Sequence, residues 1–210
     1  MKLYDAAWAP NPRKVRVFLA EKGIDVPRVA IDMRAAEHLQ PEYLAINPRG
    51  LLPTLQLDDG EVIDDSVAIC RYLEALHPAP SLFGQTPLAI ARIDRWTRYV
   101  EQDGYAAAVY ALRNAAPAFA DRAVAGAWPP MPQLPGLVDR ARAMWAVFLD
   151  RLDARLGDSE WIAGADYSFA DITALVTIDF AKAAKLAVND AHANVLRWHA
   201  AASARPSAAA

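Results

Sequence analysis

The hydrophobic pattern of this 210-residue chain changes character once, across the proline- and glycine-containing segment PAPSLFGQTP at 78–87. Before it, short apolar runs alternate with stretches of helical period. After it, only helical periods remain. A chain patterned this way reads as α+β followed by all-α: an α+β domain over 1–77, a linker over 78–87 and a helical bundle over 88–210. With 54% hydrophobic and 22% charged residues, the chain has enough apolar material for a core and too little charge for disorder.

The first part reads β-α-β-α-β-β-α. Lys2–Tyr4 is a short strand. Asn11 then opens a helix as its N-cap with Pro12 at the first position, and Gly23 ends it. Val29–Ile31 is a second strand, and 34–45 is a less regular helical stretch. Thr54–Leu57 and Val62–Ile63 form a hairpin around Asp58-Asp59-Gly60. Asp65 or Asp64 caps a third helix that buries Ala68, Ile69, Tyr72 and Leu73.

In the second part, a long helix over 88–116 carries an apolar stripe at Ala89, Ile93, Trp96, Val100, Ala107 and Tyr110. Asp103 interrupts that stripe at an inward-facing position, where a lone carboxylate is costly unless paired, for example with Arg98. Five prolines within 117–136 exclude a regular element there. A loop of this length is functional or mobile. Helix 137–156 follows. Ser168 and Asp171 make a capping box for a helix running to about Lys185, with Tyr167 and Ile172 as its hydrophobic staple. A last helix covers 191–202, and the tail ASARPSAAA reads as frayed.

Several function classes are excluded. The 22 basic and 25 acidic residues leave a net charge of −3 and no basic stripe, so nucleic acid is not an expected partner. The single Cys70 permits neither an internal disulfide nor a cysteine-rich metal site, and His77, His192 and His199 lack metal-ligand spacing. No metal is expected. There is no apolar run long enough for a membrane helix and no visible signal peptide, so the expected setting is cytoplasmic.

Four stretches, APNPRKVRVFLAEKGI, PEYLAINPRGLLPTL, DDSVAICRYLEALHP and WIAGADYSFADI, occur in an order and spacing that resembles the cytosolic glutathione transferase family over nearly the whole chain. The resemblance implies a thioredoxin-like glutathione-binding domain, a helical domain shaping a second-substrate pocket, and a homodimer. It also implies glutathione as co-substrate, whose thiolate attacks a small hydrophobic electrophile. Two alternatives stay open: a glutathione-dependent disulfide reductase, and a non-catalytic binding protein that keeps the fold.

The residues bear on this in turn. Leu52-Pro53, just before a strand, is a candidate cis bond, as in family members, or an ordinary trans proline. In the cis form the backbone of Leu52 would pair with an extended peptide. Asp65-Ser66 is a helix start that attracts anions or is simply a cap. The resemblance implies that Ser66 takes the γ-glutamyl carboxylate and Asp65 the ammonium. It also implies that Asp103 reaches across a dimer to the same ammonium. His38 and Gln40 are candidate partners of the glycine carboxylate, with Arg49. Relatives often carry lysine where Leu39 and Leu51 stand. Trp8, Ala9, Tyr105 and Tyr110, together with Phe119, are candidates for the second-substrate pocket.

At the thiol itself the sequence departs from the common pattern. Ala9 stands where many relatives have Ser or Cys, and Tyr4 lies too early to match the tyrosine-type enzymes. Asn11 is the remaining candidate: its amide can donate to a thiolate, and proteins of the Nu class have a similar Pro-Asn step. The bland alternative is that Asn11 only caps the helix. Making a thiol of pKa ~8.5 mostly ionised at neutral pH requires a shift of ~2 units, or ~2.7 kcal/mol. One charge-assisted hydrogen bond of ~1.5–3 kcal/mol with a helix-terminus contribution of ~0.3–1 kcal/mol is of that size.

Overall fold

A computed structural model describes the whole chain, Met1–Ala210. It divides into two compact units: Met1–Pro80 with Val124–Pro130 and Ala210, and Ser81–Ala123 with Met131–Ala209.

The first unit is built on a four-stranded sheet. Its strands are β1 (Lys2–Asp5), β2 (Arg28–Ala30), β3 (Thr54–Gln56) and β4 (Val62–Ile63), in spatial order β2-β1-β3-β4. β1 pairs parallel with β2 and antiparallel with β3, and β3 pairs antiparallel with β4. Helices α1 (Pro10–Lys22) and α3 (Ser66–Leu76) supply Val15, Phe18, Ile69 and Leu73 to a core shared with Leu3 and Leu55, all essentially inaccessible. The stretch 34–45 is a 3-10 turn (Glu37–Leu39) and the one-turn helix α2 (Pro41–Leu44). The sheet and its helices make the thioredoxin-like arrangement.

Three local expectations need correction. α1 starts at Pro10 with Ala9 at the N-cap, because Pro10 already has the helical φ and the Ala9 N–H is taken by the Ala6 carbonyl at 3.0 Å. Asn11 therefore lies inside the first turn and does not cap it. β2 sits one residue earlier than expected. In α3 the buried face is Ser66, Ile69, Cys70 and Leu73, while Ala68 is exposed and Tyr72 half-buried.

The second unit consists of α4 (Pro87–Tyr99), a π-helical segment (Val100–Tyr105), α5 (Ala106–Ala115), α6 (Gly136–Gly157), α7 (Phe169–Ala181) and α8 (Ala193–Ser203). α7 is buried from Phe169 to Ile178 and forms the centre of the bundle. Its start carries the capping box of Ser168 and Asp171. The fully buried Asp171 carboxylate also accepts from the Ile162 N–H at 2.9 Å and the Trp198 Nε1 at 2.8 Å. Burial pushes this carboxyl up even against those four donors, so the network is needed to keep the charge inside. Upstream of α4, Leu82 and Phe83 are buried in the same unit, with Phe83 stacked on Phe169 at 4.6 Å.

The inward stripe of the long helix is Ile93, Thr97, Val100, Gly104, Ala107 and Ala111. Asp103 does not face inward. The inward position is Gly104, against the Phe148 ring, where an added Cβ would fall 2.7 Å from ring carbons. A glycine has no apolar side chain to mark it in a periodicity count, although Gly104 sits four residues after Val100 and three before Ala107, in step with the inward face. Trp96 is likewise replaced by Thr97, and Tyr110 is 40% exposed. The tail is not frayed: Pro206–Ala209 forms a 3-10 turn with Ser207 buried, and Arg205 lies 4.1 Å over the Tyr167 ring.

α8 has no cap of its own. Asp153 on α6 supplies one, accepting from the N–H groups of Asn194 and Val195 at 2.9 and 3.0 Å and from the Asn194 amide at 3.0 Å. Partial burial pushes this carboxyl up, but the three hydrogen bonds outweigh it and hold it below its ordinary value. A depressed carboxylate stabilises above its unfolded pKa and loses that contribution as pH falls through the folded one. Asp153→Ala is expected to lower stability at pH 7 by about 1 kcal/mol. In urea unfolding at a series of pH values, the gap from the parent protein should narrow as pH falls below about 4.

Candidate functional site

The turn between β1 and α1 is held from below by Arg16, on the buried face of α1. Its Nη1 donates to Asp5 Oδ1 at 2.5 Å and its Nη2 to the Ala7 carbonyl at 2.7 Å. Both side chains are at most 10% exposed. Trp8 on this turn is 54% exposed, with the Arg34 guanidinium 5.9 Å over its ring, whereas Ala9 is buried. Ala9 shares a buried cluster with Tyr4, Ala6, Tyr43 and Leu52, so this turn and the segment before β3 are neighbours. The Tyr4 hydroxyl is committed to Gln56 at 3.1 Å.

The start of α1 is poor in free N–H groups. Pro10 and Pro12 have none, and that of Ala9 is taken. Asn11 keeps the one free backbone donor of the first turn, and its half-buried side chain makes no hydrogen bond within the chain. The proline pair leaves this terminus without the cluster of backbone donors that a helix start ordinarily presents.

The Leu52-Pro53 bond is cis. The preceding turn centres on the Leu51 carbonyl, which accepts from the Tyr43 hydroxyl at 2.6 Å, Asn47 Nδ2 at 3.0 Å and Thr54 Oγ1 at 3.2 Å. Burial pushes the Tyr43 phenol up to about 12, so it remains a neutral donor. Asn47 also accepts the Arg49 N–H at 3.0 Å, as an Asx turn. Leu52 is next in sequence, and neither its N–H nor its carbonyl is used within the chain.

At the start of α3, Asp65 is the N-cap, its Oδ1 accepting from Val67 and Ala68 N–H at 2.9 and 3.0 Å. Its Oδ2 is uncommitted. Ser66 is buried as a residue, yet its hydroxyl has no partner within the chain. A helix start with an unused hydroxyl and one free N–H, both of Ser66, beside an exposed carboxylate oxygen offers complementary contacts for a group bearing both a carboxylate and an ammonium.

Other assignments fare differently. His38 is only 2% exposed, so its imidazole is packed inside rather than offered to a carboxylate arriving from solvent. Gln40 lines a groove of 340 Å³ with Tyr4, Ile31, Glu37, Glu42, Tyr43 and Ile46, where both charged neighbours are acidic and disfavour another carboxylate. Arg49 is the exposed cation near this turn, 3.5 Å from Asp64. Asp103 is turned outward and meets Arg151 at 3.4 Å, not Arg98. The Tyr105 ring lies 5.6 Å from that of Phe180, and Tyr110 is largely exposed. Cys70 is fully buried, and burial pushes its thiol well up, so it is inert.

Arg16, Tyr43 and Asn47 were not singled out from the sequence as site residues. Arg16 left a trace there, a charge on an otherwise buried helical face. Asn47 left only an Asn-Pro step.

A thioredoxin-like unit with a cis-proline turn before its hairpin, followed by a helical bundle, is the architecture of the glutathione transferases. The glutathione S-transferase N-terminal domain profile matches residues 8–76, and the C-terminal domain profile matches 116–206. Glutathione S-transferase 2 of Saccharomyces cerevisiae is 32% identical over 99% of this chain and 87% of its own length. The crystal structure of Gtt2 from the same yeast superposes with a TM-score of 0.89 at 31% identity, covering 99% of this chain and 98% of that one. A class Gtt2 enzyme of Vibrio parahaemolyticus gives 0.83 at 35% identity, covering 99% and 94%. The chain belongs to the cytosolic glutathione S-transferase family and is a glutathione S-transferase enzyme. The non-catalytic alternative is thereby set aside.

Replacing Arg16 by Met is expected to cost about 3 kcal/mol, because Asp5 is left buried with only Arg28 at 3.9 Å. Urea unfolding measures the loss.

Proposed function

We propose that glutathione lies along the turn before β3, its cysteinyl backbone paired with Leu52 beside Pro53. In this reading its γ-glutamyl carboxylate is on the Ser66 N–H and hydroxyl, and its ammonium is on Asp65. The glycine carboxylate falls to Arg49 rather than to His38 or Gln40. The thiol then points to the start of α1. There it gives its proton to solvent, and Asn11 donates to the resulting thiolate from its amide and backbone N–H. The sulfur lone pair attacks a small hydrophobic electrophile, forming a carbon–sulfur bond while the leaving group departs with its electron pair. Trp8, exposed on the same turn, is the proposed apolar contact. No metal takes part, and the single buried Cys70 suits a reducing, cytoplasmic setting.

The observation that carries this reading is the pair of unused donors on Asn11, at a turn with no Ser, Cys or free Tyr. Asn11→Ala removes a charge-assisted hydrogen bond of ~1.5–3 kcal/mol, which corresponds to a rise of ~1–2 units in the bound thiol pKa. It should lower kcat/KM about 10- to 100-fold. Thiolate absorbance of bound glutathione followed against pH measures the shift. Identical titration in the variant and the parent would remove Asn11 from the mechanism.

The homodimer reading finds support in the helical unit alone. A groove of 300 Å³ there has Ala143, Met144 and Val147 as its floor, with Asp103 on one side and Arg140 and Arg151 as its cations. An apolar strip carrying both signs of charge is self-complementary under a two-fold axis. Val147, 46% exposed, would be covered in such a pair. Val147→Glu is expected to halve the molar mass seen by light scattering, whereas an unchanged mass would place the dimer contact elsewhere.

A further inference from the structure

The proline-rich stretch has no role in the reaction proposed above, yet part of it, Val124–Pro130, belongs to the N-terminal unit. The Ala127 N–H donates to the Arg49 carbonyl at 2.8 Å, and the Trp128 N–H folds back onto the Gly126 carbonyl at 3.0 Å. The two backbones meet so closely that each side carries a glycine at positive φ. At Gly126 (φ +97°) an added Cβ would fall 2.5 Å from the Arg49 carbonyl oxygen and 3.1 Å from the Leu51 side chain. At Gly50 (φ +59°) it would fall 2.9 Å from Leu39, 3.1 Å from the His38 carbonyl and 3.2 Å from the Ala127 nitrogen. Both departures from the usual lysines, Leu39 and Leu51, are thus beside this contact.

The turn is consequently held on two sides. Tyr43, Asn47 and Thr54 fix the Leu51 carbonyl. Ala127 ties down the Arg49 carbonyl, next to Gly50, the residue with the greatest backbone freedom there. Leu52 follows directly, with its N–H and carbonyl unused.

We propose that Val124–Pro130 is a clasp that positions the Arg49–Leu52 backbone to receive the cysteinyl part of glutathione, with Gly126 and Ala127 as positioning residues. The inference rests on the reading that Leu52 pairs with the tripeptide. A turn already ordered before binding does not have to be ordered by the ligand, so the clasp acts on glutathione affinity and not on the chemical step. It is also the reason that a second-half segment is built into the first unit.

Gly126→Ala and Ser66→Ala separate the two claims. Glutathione binding is measured by calorimetry, and turnover with glutathione and chlorodinitrobenzene. Gly126→Ala should raise the Kd and KM for glutathione five- to tenfold, while kcat at saturating glutathione and KM for the aryl halide stay within twofold. Ser66→Ala should also weaken glutathione binding. If Ser66→Ala weakens binding and Gly126→Ala only lowers the melting temperature, the clasp is structural and the inference is overturned. If Ser66→Ala has no effect, the site assignment falls, and the inference with it. Hydrogen exchange on the unmutated protein decides the matter should Gly126→Ala not fold. Glutathione should slow exchange in 124–130 together with 47–57. Protection of 47–57 alone overturns the clasp, and protection of neither overturns the site.

Discussion

The carbonyl of Leu51, with its three donors, fixes the turn on which the proposed glutathione site depends. A buried carbonyl without partners costs a few kcal/mol, and here Tyr43, Asn47 and Thr54 converge on one oxygen instead. Each of the three comes from a different local structure: α2, the turn itself and the first residue of β3. Their convergence ties the irregular stretch between β2 and β3 to the sheet. The uncharged state of Tyr43 is part of this, because an ionised phenol would stop donating. The same turn leaves Leu52 with its polar groups unused beside the buried Ala9 cluster.

The start of α1, the proposed thiol end, is supplied with donors differently. Helix starts attract anions because several N–H groups point outward together. α1 gives up two of them to Pro10 and Pro12 and a third to the Ala6 carbonyl. What remains is concentrated on Asn11. The turn is made rigid from behind by the Arg16–Asp5 pair, so a short polar side chain in its first helical turn is displayed in one place. A site of this kind depends on positioning more than on the intrinsic acidity of a protein group, which is consistent with a family enzyme whose Ala9 has no polar atom.

In the helical unit, the order comes from a buried charge made tolerable. Asp171 completes the capping box, takes the Ile162 N–H and receives the Trp198 indole, so one carboxylate joins the start of α7, the loop before it and α8. Asp153 plays a lesser version of the same part for α8. The capping box joins Ser168 to Asp171, three positions apart, whereas Asp153 takes its donors from Asn194 and Val195, 41 and 42 positions away.

That difference runs through what could be read in advance. The capping box, the Asp58-Asp59-Gly60 hairpin, the Asp65 cap and the two-part architecture were legible because each is decided by residues close together in sequence, through turn chemistry, cap chemistry or hydrophobic period. The proline-rich stretch was legible only as an interruption. Its pairing with the Arg49 turn joins residues more than seventy positions apart, and two glycines carry no pattern that announces such a contact. The inward position of the long helix was misplaced for a related reason: Gly104 offers no side chain to count, so Asp103 drew the assignment. Local pattern therefore determined the two-part architecture, and four motif stretches carried the resemblance to the family. Only the tertiary structure decided which polar groups remain unused after folding, those of Asn11, Leu52 and Ser66 among them. A free donor is defined by what all the other residues have already taken.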